Sequence, residues 1–134
     1  EPIGDKKWCV NSVRQALEIV NAVNRDSVGL TVDCINIYLH DKCADVDFIR
    51  KIPKEKLFVF HINDCEDLPL GILDHCHRLM TGLGAIPVQE VADAVQAVGY
   101  DGPACLELFR PEYWRMPAED VIRMGAENTR PFLA

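Results

Sequence analysis

Three short, nearly continuous apolar runs constrain this chain more than any other feature. They are SVGLTV at 27–32, LFVFHI at 57–62 and ACLELF at 104–109. A half-buried antiparallel strand alternates apolar and polar residues, whereas a strand of a covered parallel sheet reads as an apolar block. LFVF has four large apolar side chains in succession. That run predicts a strand buried on both faces.

The segments between the runs carry helical periodicity. In VNSVRQALEIVNAV, Val10, Val13, Leu17, Val20 and Val23 recur at steps of three and four, with Asn11 as the expected cap. DVDFIRKI predicts a short helix stopped by Pro53. PVQEVADAVQAV places Pro87 in a first helical turn, with Gly99 at the C-cap. Pro117 opens a last helix that runs to about Asn128. A polar loop with Gly and Pro fills Asn63 to Ala85. Strands and helices alternate, which predicts an α/β fold with a parallel sheet. No second composition regime or linker appears, so the chain reads as one domain or part of one.

Composition removes several function classes. The 134 residues are 49% hydrophobic, enough for one core. The net charge is -7 and the pI about 5.0. An acidic chain without a Lys/Arg cluster argues against nucleic acid or an anionic membrane as the main partner. The stretch Arg50 to Lys56 is interrupted by Glu55 and reads as a solvated turn. Six cysteines form no C-x-x-C pair, and are expected to be reduced, mostly buried residues of a cytosolic protein. No run approaches the roughly 18 apolar residues of a membrane span. No signal peptide opens the chain, and a cytoplasmic location is expected.

Each run delivers a ligand or acid–base group. TVD ends in Asp33, FVFH in His61, and CLEL contains Glu107. In parallel α/β proteins the carboxyl ends of the strands lie on one side, where ligands bind. Asp33 and His61 are 28 residues apart, about one βα unit. His61 and Glu107 are 46 apart, one unit plus the long loop. Two carboxylates and an imidazole suit Mn²⁺, Mg²⁺, Co²⁺ or Zn²⁺. Taken singly, Asp33 is also a strand terminator or turn cap, and His61 a packed histidine. Glu107, between apolar neighbours, reads as a buried carboxylate that needs a counter-charge. Arg78 suits substrate hydroxyls or an ordinary salt bridge. His75, Cys76, His77 and His40 read as solvent-facing. Asp64, Glu66 and Asp67 lie in the loop after His61, and the G-x-G of its TGLG segment carries a weak phosphate-loop signal.

The stretches FHINDCEDLPLGILDHCHRLMTGLGAIPVQEV, ACLELFRPEYW and EIVNAVNRDSVGLTVD resemble the sugar isomerase/epimerase superfamily with the xylose isomerase-like TIM barrel. Within it, the chain resembles the inosose isomerases. The likeness covers essentially the whole chain. It implies a single partial domain over 1–134, the C-terminal half of a (βα)8 barrel from the end of strand 5 through helix 8. It also implies one divalent metal ion held by Glu1, Asp33, His61 and Glu107.

The resemblance implies proton transfer beside a carbonyl of a keto-cyclitol or ketose, through an enediolate, with Glu1 and Glu107 as acid and base. It places Asn36, Asp64 and Arg78 at the substrate or just behind it. Asn36 stands where the family usually has His, and Thr81 where it has Pro. A dehydratase of the inosose type, which eliminates water, and a half-barrel that binds sugar without turnover are the alternatives. A multi-zinc endonuclease of the same barrel type needs more strand-end histidines than this chain has. The expected partners are a small sugar or cyclitol and either a second copy or an N-terminal half, with no nucleic acid and no membrane.

Overall fold

The computed structural model describes residues 9–133. The first helix, α1 (Val13–Val23), buries Ala16, Leu17 and Val20. Its cap is Ser12, whose hydroxyl accepts from the Gln15 N–H at 3.3 Å. Asn11, the expected cap, donates its own N–H to Gln15 Oε1 at 3.1 Å. Asn24, in the left-handed region, closes the helix.

Three strands form a parallel sheet in the order β1 (Leu30–Asp33), β2 (Leu57–His61) and a short edge strand. Asp33 pairs with His61, and His61 with Cys105 of the edge strand. β1 begins later than the apolar run, just after Gly29, which lies against the Phe58 ring and the Lys56 carbonyl where a Cβ has no room. The register also shifts between Leu30 and Thr31. Helices follow the strands as the alternation predicts, and among the described residues the sheet does not close on itself.

A helix that periodicity does not announce follows β1 without a loop. This α2 (Cys34–Asp41) buries Cys34 through Leu39 without a break. A helix apolar all round shows no amphipathic stripe. DVDFIRKI forms a 3₁₀ turn, Val46–Lys51, rather than an α-helix. The long loop holds a two-residue antiparallel ribbon, β3 (Asp64–Cys65) with β4 (Arg78–Leu79). Then α3 (Val88–Ala97) buries Val88, Val91, Ala92, Ala94 and Val95. Gly99 follows at φ 79°, which suits a residue without Cβ. The edge strand is β5 (Ala104–Cys105), followed by the short α4 (Pro111–Trp114) and by α5 (Ala118–Thr129).

The covered-sheet expectation holds only in part. Leu57 and Phe60 are buried, but Phe58 is 39% exposed. Ala104 and Cys105 are exposed along the β5 edge, and only these two residues of ACLELF are strand. The core lies instead between β1, β2 and the first three helices, with Leu17, Val32, Ile35, Phe60, Val91 and Val95 among its members. Thr81 ties the loop to the end of the chain: its hydroxyl donates to the Ile62 carbonyl and lies 3.0 Å from the Thr129 hydroxyl.

All six cysteines are free thiols, and three rather than most are buried. Burial pushes the Cys34 thiol well up, and those of Cys43 and Cys65 up to about 12. Cys9, Cys76 and Cys105 are exposed. A thiol-specific reagent should therefore modify these three in the native chain and all six in denaturant. Mass spectrometry of the labelled peptides checks the assignment; early labelling of Cys34 would contradict the packing around β1.

Candidate metal centre

The centre grows out of the end of β1. Asp33 is 1% exposed. Its Oδ1 accepts the Ile35 and Asn36 N–H groups at 3.0 and 3.3 Å, which caps α2. Asn63 reinforces the junction by accepting from the Ile35 N–H at 3.1 Å and donating to Asp33 Oδ1 at 3.4 Å. The other oxygen, Oδ2, turns to the rim. His61 Nδ1 stands 3.2 Å from it, and Arg78 Nη1 donates to it at 3.0 Å. Burial works against ionising this carboxyl. The His61 hydrogen bond, the charge and hydrogen bond of Arg78 and the Asn36 N–H outweigh it and hold Asp33 below the usual carboxylate value.

His61 and Glu107 complete the group. His61 Nδ1 is 3.6 Å from Glu107 Oε2, and Arg78 Nη1 is 3.3 Å from the same oxygen. Glu107 corrects one expectation. It lies beyond β5 and its side chain is 37% exposed, so it is not the enclosed carboxylate that its apolar neighbours suggest. Its counter-charge is Arg78, which also donates to the Glu107 carbonyl at 3.1 Å.

Among the described residues, Arg78 brings a guanidinium to the centre, with a side chain 1% exposed. Nη2 lies 3.1 Å from His75 Nδ1, and the guanidinium carbon is 5.2 Å from the centre of the Phe109 ring. His75 itself meets Phe109 edge-on, so it is part of the rim rather than a solvent-facing loop residue. His77 Nδ1 accepts from the Asp74 N–H in a capping box. Cys76 is exposed beside it.

Among the described residues, Asp33, His61 and Glu107 are brought together with one ligand atom each, all within 4.8 Å of one another. Glu1 lies outside the described residues. The donor set fits a divalent ion of the Mn, Zn, Mg or Co kind. Atoms about 2.1 Å from one ion are at most about 4.2 Å apart, so a small side-chain adjustment closes the shell. The buried hydrogen bonds to Asp33 Oδ1 orient the carboxylate as ligand supports do.

The substrate-side residues separate. Asn36 is 3% exposed in the first turn of α2, close to Asp33 through its N–H. Asp64 is 1% exposed and accepts from the N–H groups of Cys65, Gly84 and Ile86 at 2.8–2.9 Å. Burial raises its carboxyl above the usual value despite those bonds. In this structure the carboxylate therefore fastens the loop. Sequence reasoning missed Asn63, although its place two residues after His61 was a signal. It also missed the pairing of His75 with Arg78, which depends on the ribbon.

Comparison with known proteins gives a consistent picture. The family described as xylose isomerase-like TIM barrel matches residues 1–132. The inosose isomerase of Bacillus subtilis is 36% identical over 129 residues, 96% of this chain and 46% of that protein. The 3-dehydroshikimate dehydratase of Pseudomonas putida is 26% identical over 121 residues, 89% of this chain and 19% of that protein. A crystal structure of the IolI protein with a bound zinc atom superposes with a TM-score of 0.90 at 34% identity, covering 98% of this chain and 46% of that one. The chain thus spans about half the length of the inosose isomerase it matches.

Two substitutions test how the centre is built. Asp33→Ala removes a helix cap, about 1 kcal/mol, and leaves a buried guanidinium with Glu107 as its remaining carboxylate among the described residues, which costs more. A loss of about 3 kcal/mol or more in chemical denaturation is expected, with Asp33→Asn milder because the cap survives. In Gly84→Ala a Cβ would meet the Cys65 carbonyl and Asp64 Oδ1. A loss of about 2 kcal/mol is expected by the same measurement.

Proposed function

The chain belongs to the xylose isomerase-like TIM barrel family, and from that premise we propose that it is the ligand-bearing half of a divalent-metal-dependent isomerase of a keto-cyclitol or ketose. The observation that carries this reading is the convergence of Asp33, His61 and Glu107 within 4.8 Å, each from or just beyond a successive strand of one parallel sheet. The inosose isomerase relatives support the cyclitol class. The zinc atom of the IolI structure supports a metal at this rim.

Asp33, His61 and Glu107 would hold the ion, with Glu1 as the fourth ligand. A bound divalent ion supplies Lewis-acid polarisation of a substrate carbonyl and its neighbouring hydroxyl. Isomerisation then requires a proton to leave one carbon and return to the next. Glu107 is suited to carry it, being a carboxylate at the rim with more than a third of its side chain exposed. Glu1 is the second proton carrier in this reading. Arg78 and Asn36 give donors for substrate oxygens, and Arg78 stabilises negative charge that develops there. Asp64 acts from behind, by holding the backbone at Gly84 and Ile86.

The dehydratase relative supports a second reading, in which the same proton removal ends in loss of water. Metal analysis of the whole protein should find one divalent ion per chain, much reduced in His61→Ala and Glu107→Gln. With an inosose or a ketose, an isomerase returns a product of unchanged mass and a dehydratase one lighter by a water. Activity falling by about a thousandfold or more in Glu107→Gln fits a proton carrier. Full metal content in both variants would refute the assigned ligands.

A further inference from the structure

Arg78 occupies a place that the metal reading gives to an ion. Its Nη1 is 3.0 Å from Asp33 Oδ2 and 3.3 Å from Glu107 Oε2. His61 Nδ1 addresses the same two oxygens at 3.2 and 3.6 Å. One positively charged nitrogen thus bridges two carboxylates and shares them with the imidazole. The guanidinium comes from β4 of the loop ribbon, not from the parallel sheet.

Two more observations bear on this bridge. The far side of the guanidinium has supports independent of the carboxylates, His75 Nδ1 at Nη2 and the Phe109 ring beneath the carbon. Arg78 Nε, in contrast, is buried and finds no hydrogen-bond partner among the described residues. A buried donor without an acceptor is costly, and calls for an explanation. The bridging arrangement is therefore an incompletely satisfied one.

We propose that Arg78 is a resident cation, which neutralises Asp33 and Glu107 while no metal is bound and gives up the bridging position of Nη1 when a divalent ion enters. This rests on the metal-site part of the proposed function. Two neighbouring carboxylates with no cation between them would repel each other. A guanidinium prevents that, because it stays charged at any accessible pH. The same charge opposes a divalent ion a few ångströms away. Arg78 thus preserves the rim when empty, weakens metal binding, and remains tethered by His75 and Phe109 after it withdraws.

The test compares wild type with Arg78→Met, which keeps bulk and removes charge, and with Arg78→Lys. Calorimetric titration with Mn²⁺ should show Arg78→Met binding at least about tenfold more tightly than wild type, with Arg78→Lys between. In chelator Arg78→Met should melt lower than wild type, and Mn²⁺ should raise its melting temperature by more. Unchanged or weaker Mn²⁺ affinity in Arg78→Met overturns the proposal. If that variant does not fold, crystals of the wild-type protein grown with chelator and with Mn²⁺ decide. Nη1 should bridge both carboxylates in the first and not in the second; bridging in both overturns the proposal. The metal reading fails separately. If wild type binds no Mn²⁺ but Arg78→Met does, Arg78 is the competitor and the native site is not a metal site. If neither binds, both ideas fall.

Discussion

The carboxylate of Asp33 is the point on which the rest of the structure depends. A buried charge must be compensated on every side. One oxygen of Asp33 is satisfied by the first turn of α2 and by Asn63, the other by His61 and Arg78. Those partners come from the helix after β1, the end of β2, the loop just beyond it and the ribbon. Their positions are mutually fixed because they share one residue. Fold and site are therefore the same network seen from two directions.

The network holds the rim together across described strands that do not close on themselves. β5 has two residues, both exposed, and Phe58 is partly exposed on β2. In a closed barrel such strands have neighbours on each side. The ligand group is gathered within the described residues. Its members are held by hydrogen bonds among themselves and by a loop fastened at Asp64 and Thr81.

Much of the fold is legible in the sequence. Apolar runs separated by periodic helices point to a parallel sheet, and βα spacing alone brings Asp33 and His61 to one rim. The failures have physical causes. α2 escaped notice because a helix buried through Cys34–Leu39 has no polar face to set its period. The ribbon escaped because two-residue strands carry no pattern. Apolar neighbours in sequence suggest an enclosed Glu107, whereas the strand ends at Cys105 and leaves it at the rim. The sequence leaves Arg78 between two roles because its partners Asp33 and Glu107 lie 45 and 29 residues away, and no local signal reports such contacts.

The direct passage from β1 into α2 has a consequence for how such a site can diversify. With no intervening loop, residues 33 and 34 belong to strand and helix in immediate succession. Length cannot vary there without breaking the cap that orients Asp33. On that side a new ligand preference has to arise by exchanging side chains in the first helical turn, where Asn36 stands. After β2 the opposite holds, since a long segment separates His61 from Val88 and connecting segments accept insertions readily. One wall of the centre is thus free to change by identity and the other by size. Variation across related proteins should be substitutional on the first and architectural on the second.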